Sequence, residues 1–107
     1  MNFSEKVTIV TGGALGIGGG ISRKFAEKGS KIIIADIDLE SAKKNSEKII
    51  NMGGECEVIE TDISKSKDIE NMVTFALNKY GRIDNLIQNA FSTGNNTSFG
   101  GSALEIE

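Results

Sequence analysis

The chain has no histidine, no proline and no tryptophan, and one cysteine, Cys56, in 107 residues. Without histidine there is no Ser-His or Cys-His nucleophile pair and no His-based metal site. A single cysteine cannot close a disulfide within the chain, which suits a reducing compartment. Cys56 sits in a strand-like run and reads as packing. The lack of proline carries little weight at this length. No apolar run approaches the roughly 18 residues of a membrane span, so no membrane association is expected. The first six residues are mostly polar and lead straight into a strand, unlike a secretory leader, and a cytoplasmic setting is expected. The formal charge is −3. Its Lys and Arg residues are scattered among acids with no basic stripe, which argues against nucleic acid as a partner.

What remains is an ordinary globular composition, 38% hydrophobic, at a length that suits one small domain. Residues 6–11 (KVTIVT) are a β-branched run, expected as a first strand. Glycines follow at once. Ile17, Ile21 and Phe25 recur every four residues and mark the expected inner face of a first helix, with Gly29 as its stop. Residues 31–36 (KIIIAD) are almost continuously apolar, as in a parallel strand buried on both faces. Asp38 is placed to cap a second helix over about residues 39–52, which Gly53-Gly54 ends. Residues 55–60 read as a third strand. Ser64 or Ser66 is the expected cap of a third helix, whose apolar stripe is Ile69, Met72, Val73, Ala76, Leu77 and Tyr80. Gly81 stops it. Residues 83–88 read as a fourth strand, and residues 91–107 as a loop and tail, rich in Gly, Ser and Asn from 92 to 102.

Strands alternating with helices, βαβαβαβ, imply an α/β fold with a doubly wound parallel sheet. The expected strand order is 3-2-1-4, with the first two helices on one face and the third on the other. The chain is read as one partial, Rossmann-like domain over residues 1–107, with its core in 1–90.

The turn Thr11-Gly-Gly-Ala-Leu-Gly-Ile-Gly18 lies between the first strand and the first helix. Glycine lets the chain reverse tightly, lets the backbone approach a pyrophosphate, and lets the helix start close to the sheet. The N–H groups opening the helix then face the anion, helped by the helix dipole. A glycine triad alone is weak evidence and also describes a flexible loop. Here it follows a strand, precedes a helix, and is joined by Asp36 at the end of the second strand. A carboxylate there can accept from both hydroxyls of an adenosine ribose, each charge-assisted bond contributing ~1.5–3 kcal/mol. The 2′-phosphate of NADP would meet that negative charge at a cost of up to ~4 kcal/mol for unit charges ~4 Å apart. Ile37, Asp38 and Leu39 supply no cation to offset it, so NAD is expected over NADP.

These residues resemble the short-chain dehydrogenase/reductase family. TGGALGIG is similar to that family's TGxxxGxG motif, whose spacing differs from the GxGxxG of most other dinucleotide folds. Asp36 stands where NAD-preferring members carry their acid. Thr61-Asp62-Ile63 resembles the segment whose Asp contacts the adenine amino group, and Tyr80-Gly-Arg-Ile-Asp84 resembles the lead into the fourth strand. Gln88-Asn89-Ala90-Phe91 matches the NNAG motif in part, in which the Asn and Ala line the nicotinamide ribose. The segment 102–107 is similar to the one before the family's next helix. The resemblance implies cofactor contacts at Gly12, Leu15, Gly16, Ile17, Gly18, Asp36, Ile37, Asp62, Ile63, Asn89 and Ala90. It covers nearly the whole chain but less than half of a typical member. Three departures stand out: Gln88 for Asn, Phe91 for Gly, and Gly19-Gly20 where a longer residue and a helix former are usual.

The family's catalysis uses a Tyr and a Lys four apart, with a Ser and an Asn. Tyr80 is the only tyrosine, residue 84 is Asp, and Tyr80 falls on the apolar stripe. Ser92 and Ser98 have no base partner in view. No catalytic residue and no metal ligand is therefore assigned. The chain is expected to hold NAD(H) as part of an alcohol or carbonyl oxidoreductase without turning over substrate unaided. Alternatives are a non-catalytic dinucleotide-binding or interaction module and an inert truncated product. An S-adenosylmethionine methyltransferase shares the Gly loop and the strand-2 acid, but the TGxxxGxG spacing and Asn89-Ala90 argue against it. A P-loop nucleotidase is excluded, since no Gly-Lys-Ser/Thr ends the loop. The outer edge of the fourth strand is expected to be unpaired, inviting self-association, and apolar surface is expected to stay exposed beside the third helix.

Overall fold

The computed structural model describes residues 4–89 and the backbone of residues 102–105. The chain runs β1 (Val7–Thr11), α1 (Gly16–Glu27), β2 (Lys31–Asp36), α2 (Leu39–Asn51), β3 (Cys56–Glu60), α3 (Ser66–Tyr80), β4 (Asn85–Gln88) and β5 (Ser102–Glu105). One sheet carries the order β3-β2-β1-β4-β5. The first four strands are parallel in the expected order 3-2-1-4, with Ile9 opposite Ile33 and Leu86, and Ile33 opposite Glu57.

β5 corrects two expectations. Residues 102–105 are not loop or tail but a strand antiparallel to β4, with Gln88 opposite Ser102 and Asn85 opposite Glu105. The outer edge of β4 is therefore paired, and its N–H and C=O groups do not stand open for another chain.

The core follows from strand alternation. Ile32 and Ile34 of β2 face one way and pack with Ala26, Ala42 and Ile49 of α1 and α2. Ile33 and Ala35 face the other way and pack with Val7, Ile9 and with Met72 and Ala76 of α3. The two-and-one distribution of helices is as expected. Each fully buried aliphatic side chain contributes roughly 1.5–3 kcal/mol, and β1 and β2 supply most of them. Cys56 belongs to the first cluster, and burial pushes its thiol up to about 11. It is a packing residue held as the unreactive thiol.

The helix faces differ in part from the sequence reading. The buried residues of α1 are Gly18, Gly19, Ser22 and Ala26, whereas Ile17 is 77% exposed. Small residues face inward because this helix starts close against the sheet. In α3, Met72 and Ala76 are buried and Phe75 packs beside them, while Ile69, Val73 and Leu77 are exposed. The residue before α3 is Lys65, with no side-chain cap; Ser64 instead donates to Asp62. Asp38 caps α2 as expected, accepting from Ser41 N–H.

The sheet's first and fourth strands are fastened at their entrance. Val7 N–H donates to Asp84 Oδ2 at 2.8 Å, Asp84 N–H returns to Val7 O at 2.9 Å, and Arg82 grips the same carboxylate at 2.7 and 2.8 Å. The Arg82 fork, and then the Val7 amide, hold the Asp84 carboxyl below its ordinary value.

Two predictions follow from these features. A group whose folded pKa is lowered contributes stability above its unfolded value, near pH 4, and loses it as pH falls through the folded value. Asp84→Asn should therefore lower neutral-pH stability by about 1 kcal/mol, with the difference from wild type shrinking below about pH 4, measured by urea denaturation across pH. Gly20, inside α1, has open space where a Cβ would sit. Gly20→Ala should raise stability by about 0.5–1 kcal/mol, read as a few degrees in thermal melting.

Candidate functional site

The connection changes sheet face between β1 and its neighbours β2 and β4, which opens a crevice at the C-terminal end of β1. The glycine turn leaves β1 there and enters α1 at Gly16. Gly12 has φ 67 and donates to Ala35 O at 2.8 Å, which reverses the chain against the end of β2. Leu15 precedes α1 without a side-chain cap, and the first turn carries no acidic residue. A helix leaves its first N–H groups without internal partners. Among the described residues nothing accepts from the N–H groups of Gly16, Ile17 and Gly18, and Gly19 N–H is the first to bond back, to Leu15 O at 3.0 Å.

The turn is packed tightly from within. A Cβ on Gly18 would overlap the Gly12 carbonyl and stand 2.6 Å from Asn89 Nδ2. Asn89, just past β4, donates from Nδ2 to Gly12 O at 3.3 Å, and its N–H reaches Thr11 O and Oγ1 at 3.2 Å. The end of β4 thus braces the turn. Ala90, together with Phe91, Ser92 and Ser98, lies outside the described residues.

Asp36 is aimed into the same place. Its Oδ2 accepts from Ala14 N–H at 3.1 Å and its Oδ1 from Asp38 N–H at 2.9 Å. The carboxylate therefore joins the end of β2 to the glycine turn and keeps lone pairs for further donors. Around this carboxylate and the turn, three large apolar residues stand exposed: Leu15 at 65%, Ile17 at 77% and Ile37 at 63%. Exposed apolar side chains beside unpartnered amides suit a ligand with both a charged and a flat apolar part.

Asp62 lies after β3, whose exit is tied to β2 by Thr61 N–H to Asp36 O at 3.0 Å. Its Oδ1 accepts from Ser64 Oγ at 2.6 Å and Ser64 N–H at 3.0 Å, and these bonds hold its carboxyl below the ordinary value. Ile63 follows it, partly buried.

Tyr80 packs against the α3-side core, with Lys31 Nζ 5.8 Å from its ring centroid. Burial first, and then the Glu57 and Glu55 carboxylates, raise its phenol pKa. That is the wrong direction for a proton donor or acceptor near pH 7. Among the described residues no cluster of His, Cys, Asp and Glu could hold a metal ion, and no helix is long and apolar enough to cross a membrane.

Three residues at the turn escaped the sequence reading. Ser22 and Asn45 are buried and donate to glycine carbonyls, and Arg23 donates to Asn45 Oδ1 at 2.7 Å. Nothing in sequence spacing links Asn45 on α2 to Gly13. Ser22, by contrast, lies one turn beyond Gly18, at a reach that Ser hydroxyls use to bond back within helices.

A family model described as short chain dehydrogenase matches residues 6–101. An uncharacterized oxidoreductase of Thermotoga maritima is 42% identical over 90 residues, covering 84% of this chain and 35% of that protein. The 7alpha-hydroxysteroid dehydrogenase of Bacteroides fragilis is 32% identical over 91 residues, covering 85% of this chain and 35% of that protein. Among solved structures, a hydroxysteroid dehydrogenase from Escherichia coli superposes with a TM-score of 0.82 at 30% identity, over 85% of this chain and 39% of that one. The chain thus spans about a third of the length of the curated relatives it matches.

Gly18→Ala forces a Cβ into the Gly12 carbonyl. It should destabilise the chain by about 1–3 kcal/mol and disorder the turn, seen as a lower melting temperature and as loss of the dispersed amide signals of residues 12–18. The neighbouring Gly20→Ala is the control of opposite sign.

Proposed function

The chain belongs to the short-chain dehydrogenase family, and on that premise we propose that it is the NAD(H)-binding part of an oxidoreductase acting between alcohols and carbonyl compounds. The observation that carries this is the Asp36 carboxylate bonded to Ala14 N–H beside an uncapped helix start. The turn offers outward amides for a diphosphate, and the carboxylate offers acceptors for the two hydroxyls of the adjoining ribose. The fit is supported by the tight interior of the turn, which has no room for a side chain at Gly18.

In this reading the N–H groups of Gly16, Ile17 and Gly18 hold the diphosphate, and Gly12 gives the reversal that aims them. Leu15 and Ile17 shield the diphosphate from water. Asp36 takes the adenosine ribose and repels a 2′-phosphate, which selects NAD over NADP. Ile37, Asp62 and Ile63 frame the adenine, and Asn89 and Ala90 line the nicotinamide ribose. Bound NAD(H) supplies or accepts the hydride. Proton transfer is not assigned to these 107 residues: Tyr80 is the sole tyrosine, with Asp at the fourth position after it.

Calorimetric titration of the chain tests this. NADH should bind, and NADPH should bind roughly tenfold more weakly or worse, the difference narrowing with salt. Equal or tighter NADPH binding would overturn the role given to Asp36. No binding of either would overturn the dinucleotide reading. Mixing the NADH complex with a simple ketone should give no loss of 340 nm absorbance.

A further inference from the structure

A turn that binds an anion through N–H groups has a second requirement, because every peptide unit that offers an N–H also carries a carbonyl dipole. Carbonyl oxygens left free to swing toward the ligand would repel it. In this chain the carbonyls of the turn are held by side-chain donors from three separate elements. Asn89, past β4, holds Gly12 O at 3.3 Å. Ser22 Oγ, in α1, reaches Gly13 O at 3.2 Å and Gly18 O at 2.9 Å. Asn45 Nδ2, in α2, reaches Gly13 O at 2.9 Å and Gly19 O at 3.4 Å.

Asn45 is the unexpected member. It lies 32 residues from Gly13 and is 2% exposed, although an amide on the inner face of α2 costs free energy unless it is satisfied. Its orientation is set by charge: the Arg23 guanidinium donates to Oδ1 at 2.7 Å, so the amide NH₂ must face the turn. Gly19 completes the arrangement, since a Cβ there would stand 2.9 Å from Ala14 O and 3.5 Å from Arg23 Nη1.

Resting on the NAD(H) reading above, we propose that Asn45, oriented by Arg23 and assisted by Ser22, is a positioning residue that locks the Gly13 carbonyl inward and so keeps the turn's amides aimed at the diphosphate. Cofactor affinity then depends on a residue of α2 that does not touch the cofactor. The dependence is specific to the diphosphate, because the adenosine end is held by Asp36 from β2.

The test uses Asn45→Asp and Ser22→Ala in the full chain, with ADP-ribose and adenosine as ligands. Asn45→Asp keeps the size of the side chain and its Arg23 partner but loses the donor to Gly13 O. ADP-ribose affinity should fall about tenfold in Asn45→Asp and less in Ser22→Ala, while adenosine affinity stays within about twofold. Without any ligand, amide hydrogen exchange of residues 13–18 should quicken in both variants while that of β1 and β2 does not. Unchanged ADP-ribose affinity with unchanged exchange would overturn the proposal and leave the NAD(H) reading standing. Equal losses for both ligands, with quickened exchange across the sheet, would also overturn it by showing a merely structural role. If Asn45→Asp does not fold, the same comparison in Ser22→Ala decides. Failure of the wild-type chain to bind ADP-ribose would instead remove the NAD(H) reading, and this proposal with it.

Discussion

The bond from Ala14 N–H to the Asp36 carboxylate joins the two features on which the site depends. In the NAD(H) reading, one is the turn that presents amides and the other is the acid that presents lone pairs. They come from different strands, and β1 and β2 lie side by side only because the sheet is parallel and doubly wound. The Gly12 N–H to Ala35 O bond makes the same connection two residues earlier on the turn and one residue earlier on β2. The turn is thus built against the end of β2, and its shape depends on the register of Thr11 with Ala35. Any change that slips this register moves the acid away from the amides. That is why the buried aliphatic side chains of β1 and β2, far from any ligand, matter to the site.

Close approach explains the residue choices around that bond. Large side chains fill the sheet faces, but where α1 meets the turn the inward residues are Gly18, Gly19, Ser22 and Ala26. An ordinary helix would bury Ile17 and cap itself with Ser, Thr or Asp. This one leaves Ile17 outside and has no side-chain cap: the first follows from small residues packing inward against the sheet, and the second leaves the helix start open. Departures from local rules are expected at functional sites. The Gly19-Gly20 pair divides along the same line. A Cβ on Gly19 would crowd Ala14 O, while one on Gly20 would meet open space, so Gly20 gives up helix propensity without a visible packing reason.

The alternating elements, the parallel strand order, the glycine turn and the place of Asp36 were legible because each depends on local sequence: a β-branched run, a glycine cluster, an acid closing an apolar run. What was not legible depends on contacts across the chain. The period-four reading of Ile17, Ile21 and Phe25 missed the true inner face because close packing against the sheet selected small residues over large ones. The stripe of α3 was assigned to burial as a whole, yet one helix over the sheet buries only Met72 and Ala76 fully and leaves Ile69, Val73 and Leu77 outward. β5 was missed because strand pairing is non-local and the glycine-rich stretch before it reads as loop. Asn45 could not be found from spacing, since its partner is a backbone carbonyl 32 residues away.

The charge balance of the site follows from the same construction. A diphosphate could be held by lysine or arginine, but a cation in this crevice would pair with Asp36 and compete with ribose hydroxyls for its lone pairs. Backbone amides and a helix dipole avoid that conflict, because they attract an anion without carrying a mobile charge that seeks the carboxylate. The nearest guanidinium on α1, Arg23, is turned to Asn45, where its charge orients an amide. On the NAD(H) reading, a chain of net charge −3 would present a carboxylate and an anion site side by side, provided the carbonyls of that turn are kept out of the crevice. The bonds from Asn89, Ser22 and Asn45 hold the Gly12 and Gly13 carbonyls in that way, which is the condition the NAD(H) reading requires of the turn.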